Sequence, residues 1–271
     1  PRAAPRFGRA AAPLWVTMNS PTAVPRLIYR RYATAFAAAG FGVLTYDYRG
    51  IGGSRPASLR GFHAKTRDWV LKDMSAVVAW ARAHGANRRL FLVGHSVGGQ
   101  LAGMIDDPDA VDAMVTFSSQ SGYFALQGAE QKAVVWFHSH VTLPVLSHLC
   151  GYVPWRRLGA AEDLPQQCGL EWARWCRDPD YLLGDATLPL HRFSRFRAPV
   201  LAYSFADDKW GTPQAVDAMM RAYPRLERRH VAPGELGLSS IGHFGAFRRS
   251  ASALWEQTIA WLRARSDARA I

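Results

Sequence analysis

Gly94-His95-Ser96-Val97-Gly98-Gly99 sets a serine between two glycines, directly after the apolar run Leu90-Phe91-Leu92-Val93 and before a short helical stretch through Met104. G-x-S-x-G alone occurs by chance in many chains; its place between a buried strand and a helix gives it meaning. A sharp strand-to-helix bend holds the serine at a strained backbone angle, and Gly94 and Gly98 remove the Cβ atoms that would collide where strand and helix close together. The bend lifts the Ser96 hydroxyl clear of its neighbours. It also puts the Val97 N–H at the helix start, where it can stabilise an oxyanion. Attack of a serine on a carbonyl is the chemistry suited to this arrangement.

A serine hydroxyl attacks efficiently only when a base takes its proton and an acid orients that base. Downstream, the run Pro199 to Phe205 ends in Ala206-Asp207-Asp208, so two carboxylates sit at the tip of an expected strand. Asp208, three residues past the strand's end, is the favoured acid and Asp207 the alternative; the competing reading is a cap for the helix that Pro213 opens. A further strand, Leu226 to Val231, is followed by Ile241-Gly242-His243-Phe244. Of nine histidines, only His243 lies in a Gly-flanked loop after the last strand. A lone histidine is more usually a satisfied structural residue, so its register with Ser96 and Asp208 carries the argument. His95 precedes Ser96 on another face of the turn and reads as a packing and hydrogen-bonding neighbour.

These residues must be positioned by a scaffold, and the apolar pattern supplies one. Runs at Leu14 to Met18, Gly42 to Tyr46, Leu90 to Val93, Ala113 to Phe117, Val200 to Phe205 and Leu226 to Val231 read as strands. Between them lie stretches of helical period: Val70, Met74, Val77, Val78 and Ala81; Val216, Met219, Met220 and Tyr223 behind the N-cap Thr212; and Leu254, Thr258, Trp261 and Leu262. This alternation predicts an α/β fold with a mostly parallel central sheet and helices on both faces. Ser96, Asp208 and His243 then fall beyond carboxyl ends of strands, the edge where open α/β sheets bind ligands. From about Gln120 to Arg195 the alternation breaks. Trp136, Phe137, Trp155, Trp172 and Trp175 cluster there, which predicts a cap or lid inserted between core segments 14–119 and 196–265, after an irregular Pro/Ala/Arg leader over 1–13.

The 271 residues suit one α/β domain, and 49% hydrophobic with 20% charged residues excludes disordered, collagenous and coiled-coil classes. Cys150, Cys168 and Cys176 form no CxxC pair and have no histidine at finger spacing, so neither a disulfide framework nor a metal site is expected. A cytoplasmic location follows, because a secretory h-region is also missing near the leader. The uncharged stretch Ala133 to Trp155 holds three histidines and two prolines, which argues for an amphipathic lid segment rather than a membrane span. The formal charge of +12 rests on 29 Arg against 4 Lys, with six Arg before the first acid, Asp47. Such a bias could serve nucleic acid or anionic lipid, but GC-rich coding alone would produce it, and no nucleic-acid partner is expected.

Taken together, Ala23-Val24-Pro25 to Tyr32, Tyr46-Asp47-Tyr48-Arg49-Gly50-Ile51-Gly52-Gly53-Ser54, Gly94 to Gly99, Gly159 to Pro165, Trp172 to Cys176, Asp207-Asp208 and Ile241 to Phe244 resemble the α/β-hydrolase superfamily. The resemblance is to the branch of serine aminopeptidases and monoacylglycerol-lipase-like enzymes, and within it to bacterial α/β-hydrolases without assigned substrates. It spans roughly Leu14 to Leu262. It implies a Ser96–His243–Asp208 triad without metal or organic cofactor. The chain departs from the superfamily in two places. The loop that usually supplies the second oxyanion donor reads Asn19-Ser20-Pro21-Thr22-Ala23, and since Pro21 has no N–H the donor falls to Thr22 or Ala23. The strands that normally precede Leu14 are expected to be missing, which leaves a sheet edge prone to association into a homo-oligomer.

The sequence therefore points to a hydrolase of small carboxylic esters, with thioesters and amides in range. A non-catalytic binding protein on the same scaffold is one competitor, and an acyltransferase using the same triad is another.

Overall fold

The computed structural model describes residues 6–8, 12–85, 88–159 and 161–267. Nine strands occur among them: β1 (Arg6–Phe7), β2 (Leu14–Asn19), β3 (Phe41–Thr45), β4 (Arg89–His95), β5 (Ala113–Phe117), β6 (Tyr152–Val153), β7 (Leu164–Pro165), β8 (Val200–Phe205) and β9 (Leu226–Val231). The helices are α1 (Arg30–Ala38), α2 (Thr66–Asp68), α3 (Ser75–Ala83), α4 (Val97–Gln100), α5 (Ala129–Phe137), α6 (Leu143–Cys150), α7 (Gln166–Arg177), α8 (Arg192–Arg195), α9 (Pro213–Met220) and α10 (Ser252–Asp267), with 3-10 turns between.

The main sheet runs β1-β3-β2-β4-β5-β8-β9, and every pairing except β1 with β3 is parallel. Side chains on a strand alternate between faces, so one sheet sorts its residues into two cores. Trp15, Leu44, Leu90, Leu92, Met114, Val200 and Ala202 face the core that holds Val70, Met74 and Val78 with Val216 and Met219 of α9. Val16, Val43, Phe91, Val93, Val115, Phe117 and Tyr203 face the other, against Tyr32 and Phe36 of α1 and Leu254 and Leu262 of α10. Burial on both faces explains why β4 and β5 read as continuous apolar runs rather than alternating ones.

The sheet departs from expectation at its first edge. The leader is not wholly irregular: Arg6–Phe7 pairs antiparallel with β3, Arg6 opposite Leu44 and Phe7 opposite Val43. A short strand therefore lines the edge that was expected to be bare; the rest of the leader, 1–5 and 9–11, lies outside the described residues.

The helices depart from it too. The stripe from Val70 to Ala81 does not belong to one α-helix, because Trp69–Met74 is a π-helical segment between α2 and α3. After the serine, α4 ends at Gln100 and a 3-10 turn, Ala102–Met104, takes over. Tyr223 lies past the end of α9, where its hydroxyl donates to the Gly99 carbonyl (2.6 Å) and accepts from the Gly103 N–H (2.8 Å). It thereby ties α9's end to the serine turn.

Between β5 and β8 the chain is mainly helical. A second π segment, His138–Thr142, joins α5 to α6, and β6 pairs with β7 in a two-stranded ribbon.

Candidate active site

Ser96 leaves β4 at φ 51° and ψ −120°, outside the regions comfortable for a residue with a Cβ. Its surroundings hold it there. The Ser96 N–H donates to the Phe117 carbonyl on β5 (2.9 Å), while the Ser96 carbonyl accepts from the N–H groups of Gly99 and Gln100. A Cβ on Gly94 would lie 2.5 Å from the Gly99 Cα, which is the strand–helix collision expected from sequence. At Gly98 the obstacle is different: a Cβ would lie 2.2 Å from the carbonyl oxygen of Asn19, at the end of β2. The second glycine thus lets the turn close on the neighbouring strand's loop.

The two candidate carboxylates point to different partners. Asp208 Oδ2 accepts from His243 Nδ1 at 2.9 Å, and Oδ1 accepts from the N–H groups of Trp210 and Gly211, each at 2.9 Å. Burial by itself would push the Asp208 carboxyl up, but the His243 hydrogen bond and charge, helped by the Gly211 N–H, outweigh it and hold the pKa down at about 2. Asp207 instead accepts from Ile241 N–H (2.8 Å) and Gly242 N–H (2.9 Å), so it anchors the loop that carries His243. With Nδ1–H committed to Asp208, His243 keeps its lone pair on Nε2, as a general base requires.

His95 fixes the same loop from below. Its Nε2 lies 2.8 Å from the His243 carbonyl, which can only accept, so Nε2 carries the proton and Nδ1 accepts from the Tyr29 hydroxyl at 2.9 Å. Desolvation, then the nearby His243, lowers the His95 pKa well below the ordinary value, and the ring stays neutral. It is a positioning neighbour of His243, as its place in the turn suggested.

Ser96 and His243 line one cavity of about 630 Å³. They make no direct hydrogen bond with each other in this structure; contacts of this kind often tighten only around bound substrate. Pro21, Thr22 and Ala23 line the same cavity. Ala23 stands at φ 59°, and its carbonyl accepts from Glu162 N–H. Val97 N–H, at the first position of α4, has no intrahelical acceptor.

The five large aromatic residues singled out in the inserted segment divide into three groups. Trp155 and Trp172 line the cavity with Val135 and Leu143, Trp175 is buried and donates to Asp185, and Trp136 and Phe137 are about half exposed.

Sequence reading missed the polar side of this cavity. Tyr181, at φ 56°, accepts from Trp172 Nε1 and donates to Gln100 Oε1 (each 3.1 Å), and Gln100 Nε2 donates to the Gln120 carbonyl. Four non-glycine residues among those described sit at positive φ: Ala23, Ser96, Ser118 and Tyr181. Three of them line this one cavity. Backbone strain collected at one place is characteristic of a working site, and only the serine turn announces it in sequence.

Residues 27–162, half of the chain, match the serine aminopeptidase S33 family. The chain belongs to that family. As an S33-family protein it is a hydrolytic enzyme of the α/β-hydrolase type, and the match covers Ser96 while ending before Asp208 and His243. Solved structures agree on the fold over nearly the full chain. BpoC of Mycobacterium tuberculosis H37Rv, assigned as a non-heme bromoperoxidase, is 21% identical with a TM-score of 0.63, covering 97% of this chain and 96% of its own. The monoacylglycerol lipase of Paleococcus ferrophilus is 15% identical with a TM-score of 0.62, covering 97% and 98%. A carboxylesterase of the thaumarchaeon Nitrososphaera gargenis is 15% identical with a TM-score of 0.62, covering 98% and 95%. No curated protein matches.

Among the described residues no cluster of His, Cys, Asp and Glu could hold a metal ion, and no helix is long and apolar enough to cross a membrane. The three cysteines are free thiols, and burial pushes those of Cys168 and Cys176 up, away from the reactive thiolate.

Proposed function

We propose that this S33-family hydrolase cleaves small carboxylic esters through a Ser96–His243–Asp208 triad. One observation carries the reading: the carboxylate of Asp208 holds Nδ1 of His243 at 2.9 Å, and that histidine shares a cavity with a serine on a strained strand-to-helix turn. In this mechanism Ser96 Oγ attacks the carbonyl carbon as its proton passes to His243 Nε2, and the negative oxygen is met by the N–H groups of Val97 and Thr22. The leaving oxygen departs with the proton from His243. Water, activated by the same imidazole, then releases the acid from the acyl-enzyme. Asp208 stays ionised throughout, because its pKa is held down at about 2.

The walls of Val135, Leu143, Trp155 and Trp172 favour an apolar acyl or aryl group. The test is labelling by a fluorophosphonate probe beside hydrolysis of p-nitrophenyl esters of increasing chain length. Wild-type protein should be labelled and Ser96→Ala should be neither labelled nor active above about a thousandth of wild type. A folded Ser96→Ala protein that hydrolyses the esters at the wild-type rate would refute the assignment.

A further inference from the structure

Beside the candidate active site, and separate from its main cavity, lies a second hollow of about 490 Å³. It is lined by the apolar side chains of Leu27, Ile28, Phe244 and Phe247 and by three arginines, Arg30, Arg31 and Arg248. Leu27 is 69% exposed, Phe244 38% and Ile28 37%, so three exposed apolar side chains are gathered in one hollow. No acid lines the hollow. Elsewhere most arginines are taken up by carboxylates: Arg26 by Asp47, Arg49 by Asp73, Arg55 by Asp163. Among the described residues, Arg30, Arg31 and Arg248 meet no acceptor through their guanidinium groups. Three uncompensated cations and four apolar side chains lining one hollow form a site whose complement is an anion attached to something apolar.

Its position relative to the chemistry says which part of a substrate reaches it. Phe244 belongs to the walls of both hollows and stacks edge-on against His243, 5.2 Å between ring centres. The departing atom must come within hydrogen-bond reach of His243 to take its proton. The leaving group therefore departs beside His243, against which Phe244, shared by both hollows, is packed.

Resting on the triad reading above, we propose that this hollow binds a phosphate-bearing leaving group. The preferred substrates are then esters or thioesters whose alcohol or thiol carries phosphate. In the step itself the acyl C–O or C–S bond breaks, its electron pair leaves on oxygen or sulfur, and that atom takes the proton His243 received from Ser96; water later supplies the oxygen of the free acid. Guanidinium groups suit the role because their planar fork donates two parallel hydrogen bonds to phosphate oxygens. Such phosphate comes either from a soluble nucleotide-type thiol or from a lipid headgroup.

Two matched substrate pairs separate those sources. Octanoyl-CoA is compared with the octanoyl thioester of N-acetylcysteamine, and lysophosphatidylglycerol with a monoacylglycerol of the same chain. The enzyme should prefer the phosphate-bearing member of one pair by about tenfold in kcat/KM at low salt, equivalent to about 1.4 kcal/mol, with the preference shrinking as salt rises. In Arg30→Ala/Arg31→Ala/Arg248→Ala the ratio should collapse to about one, mainly through KM. Calorimetry of CoA and of glycerol 3-phosphate with Ser96→Ala reads the hollow without turnover, and binding should vanish when the three arginines are also replaced. A ratio near one in both pairs together with no binding overturns the inference while ester hydrolysis still stands, and so does a preference that survives the triple substitution. Arginine-dependent binding with no ester cleaved by wild type supports the anion site and removes the triad reading instead.

Discussion

Replacing Asp208 by Asn, beside the same change at Asp207, tests which carboxylate works with His243 and how. Asp208 Oδ1 accepts two backbone N–H groups, from Trp210 and Gly211, while Oδ2 faces His243 Nδ1. An asparagine must keep its carbonyl oxygen toward the two N–H donors, which places its NH2 against His243. Two donors then meet, and the imidazole relieves the clash by moving its proton to Nε2, where it can no longer act as base. The native carboxylate is held from 3.8 down to about 2, which corresponds to roughly 2.5 kcal/mol of favourable interaction with the ionised form. The activity loss is larger than that figure, because the tautomer itself becomes unproductive: kcat for a p-nitrophenyl ester should fall on the order of ten-thousand-fold. Asp207→Asn is different in kind. Its oxygen still accepts one of the two N–H groups of Ile241 and Gly242, leaving one unmet at a cost of about 1–3 kcal/mol in stability, with an activity loss of about tenfold from a looser histidine loop. Stopped-flow acylation kinetics and urea unfolding of both variants decide the matter. Activity lost more heavily in Asp207→Asn than in Asp208→Asn would overturn the assignment of the acid.

Two further outcomes follow from the same surroundings. Because the His95 pKa is lowered by burial, the unfolded chain takes up that proton first as pH falls; stability is flat above about pH 6.5 and drops below it by at most about 1.4 kcal/mol per pH unit. Urea midpoints at pH 7.5 and 5.5 should therefore separate in wild type and separate less in His95→Gln, and an equal separation in both would exclude His95 as the source. Gly98→Ala drives a methyl group into the Asn19 carbonyl, whereas a Cβ on Gly234 meets nothing within 4 Å. Gly98→Ala should cost about 3 kcal/mol and Gly234→Ala less than about 1 kcal/mol by urea unfolding; equal stabilities would mean that the turn does not close on β2 as described.

Five of the six parallel strands were legible because each is a short apolar run closed by polar or turn residues, whereas the edge strand Leu226–Val231 has apolar residues only at its two ends; Ala113–Phe117, Val200–Phe205 and Leu226–Val231 carry the bounds that the sequence suggested. The other three differ by a residue or two, since strand ends depend on the neighbouring strand's hydrogen bonds and not on local pattern. The π segments were not legible: over six residues the extra residue per turn shifts an apolar stripe too little to be seen. The preference for Asp208 over Asp207 rested only on its distance past the strand's end, and no firmer choice was legible, for a stronger reason. Adjacent residues on a strand-end turn point different ways, and which one meets His243 is settled by a loop 35 residues further on. Nor could composition sort Trp172, which faces the cavity, from Trp175, which faces Asp185 a turn away.

The charge of +12 looks like a signal for a polyanion until the carboxylates are followed one at a time. Asp112 pairs with both Arg82 and Arg89, Asp185 with Arg67 and Arg174, and Glu227 with Arg229 and Arg265. A single acid serving two guanidiniums consumes arginine faster than acid, so an excess of positive charge accumulates inside ordinary structural contacts. Several of these contacts also reach backbone carbonyls, as Arg82 does at Ala110 and Arg228 at Ala202, which uses a cation where no acid is needed. Net charge summed over such a chain therefore says little about a partner. Among the described residues Arg157, Arg197 and Arg249 also make no ion pair; what distinguishes Arg30, Arg31 and Arg248 is that they line one hollow together, beside the residue that follows His243.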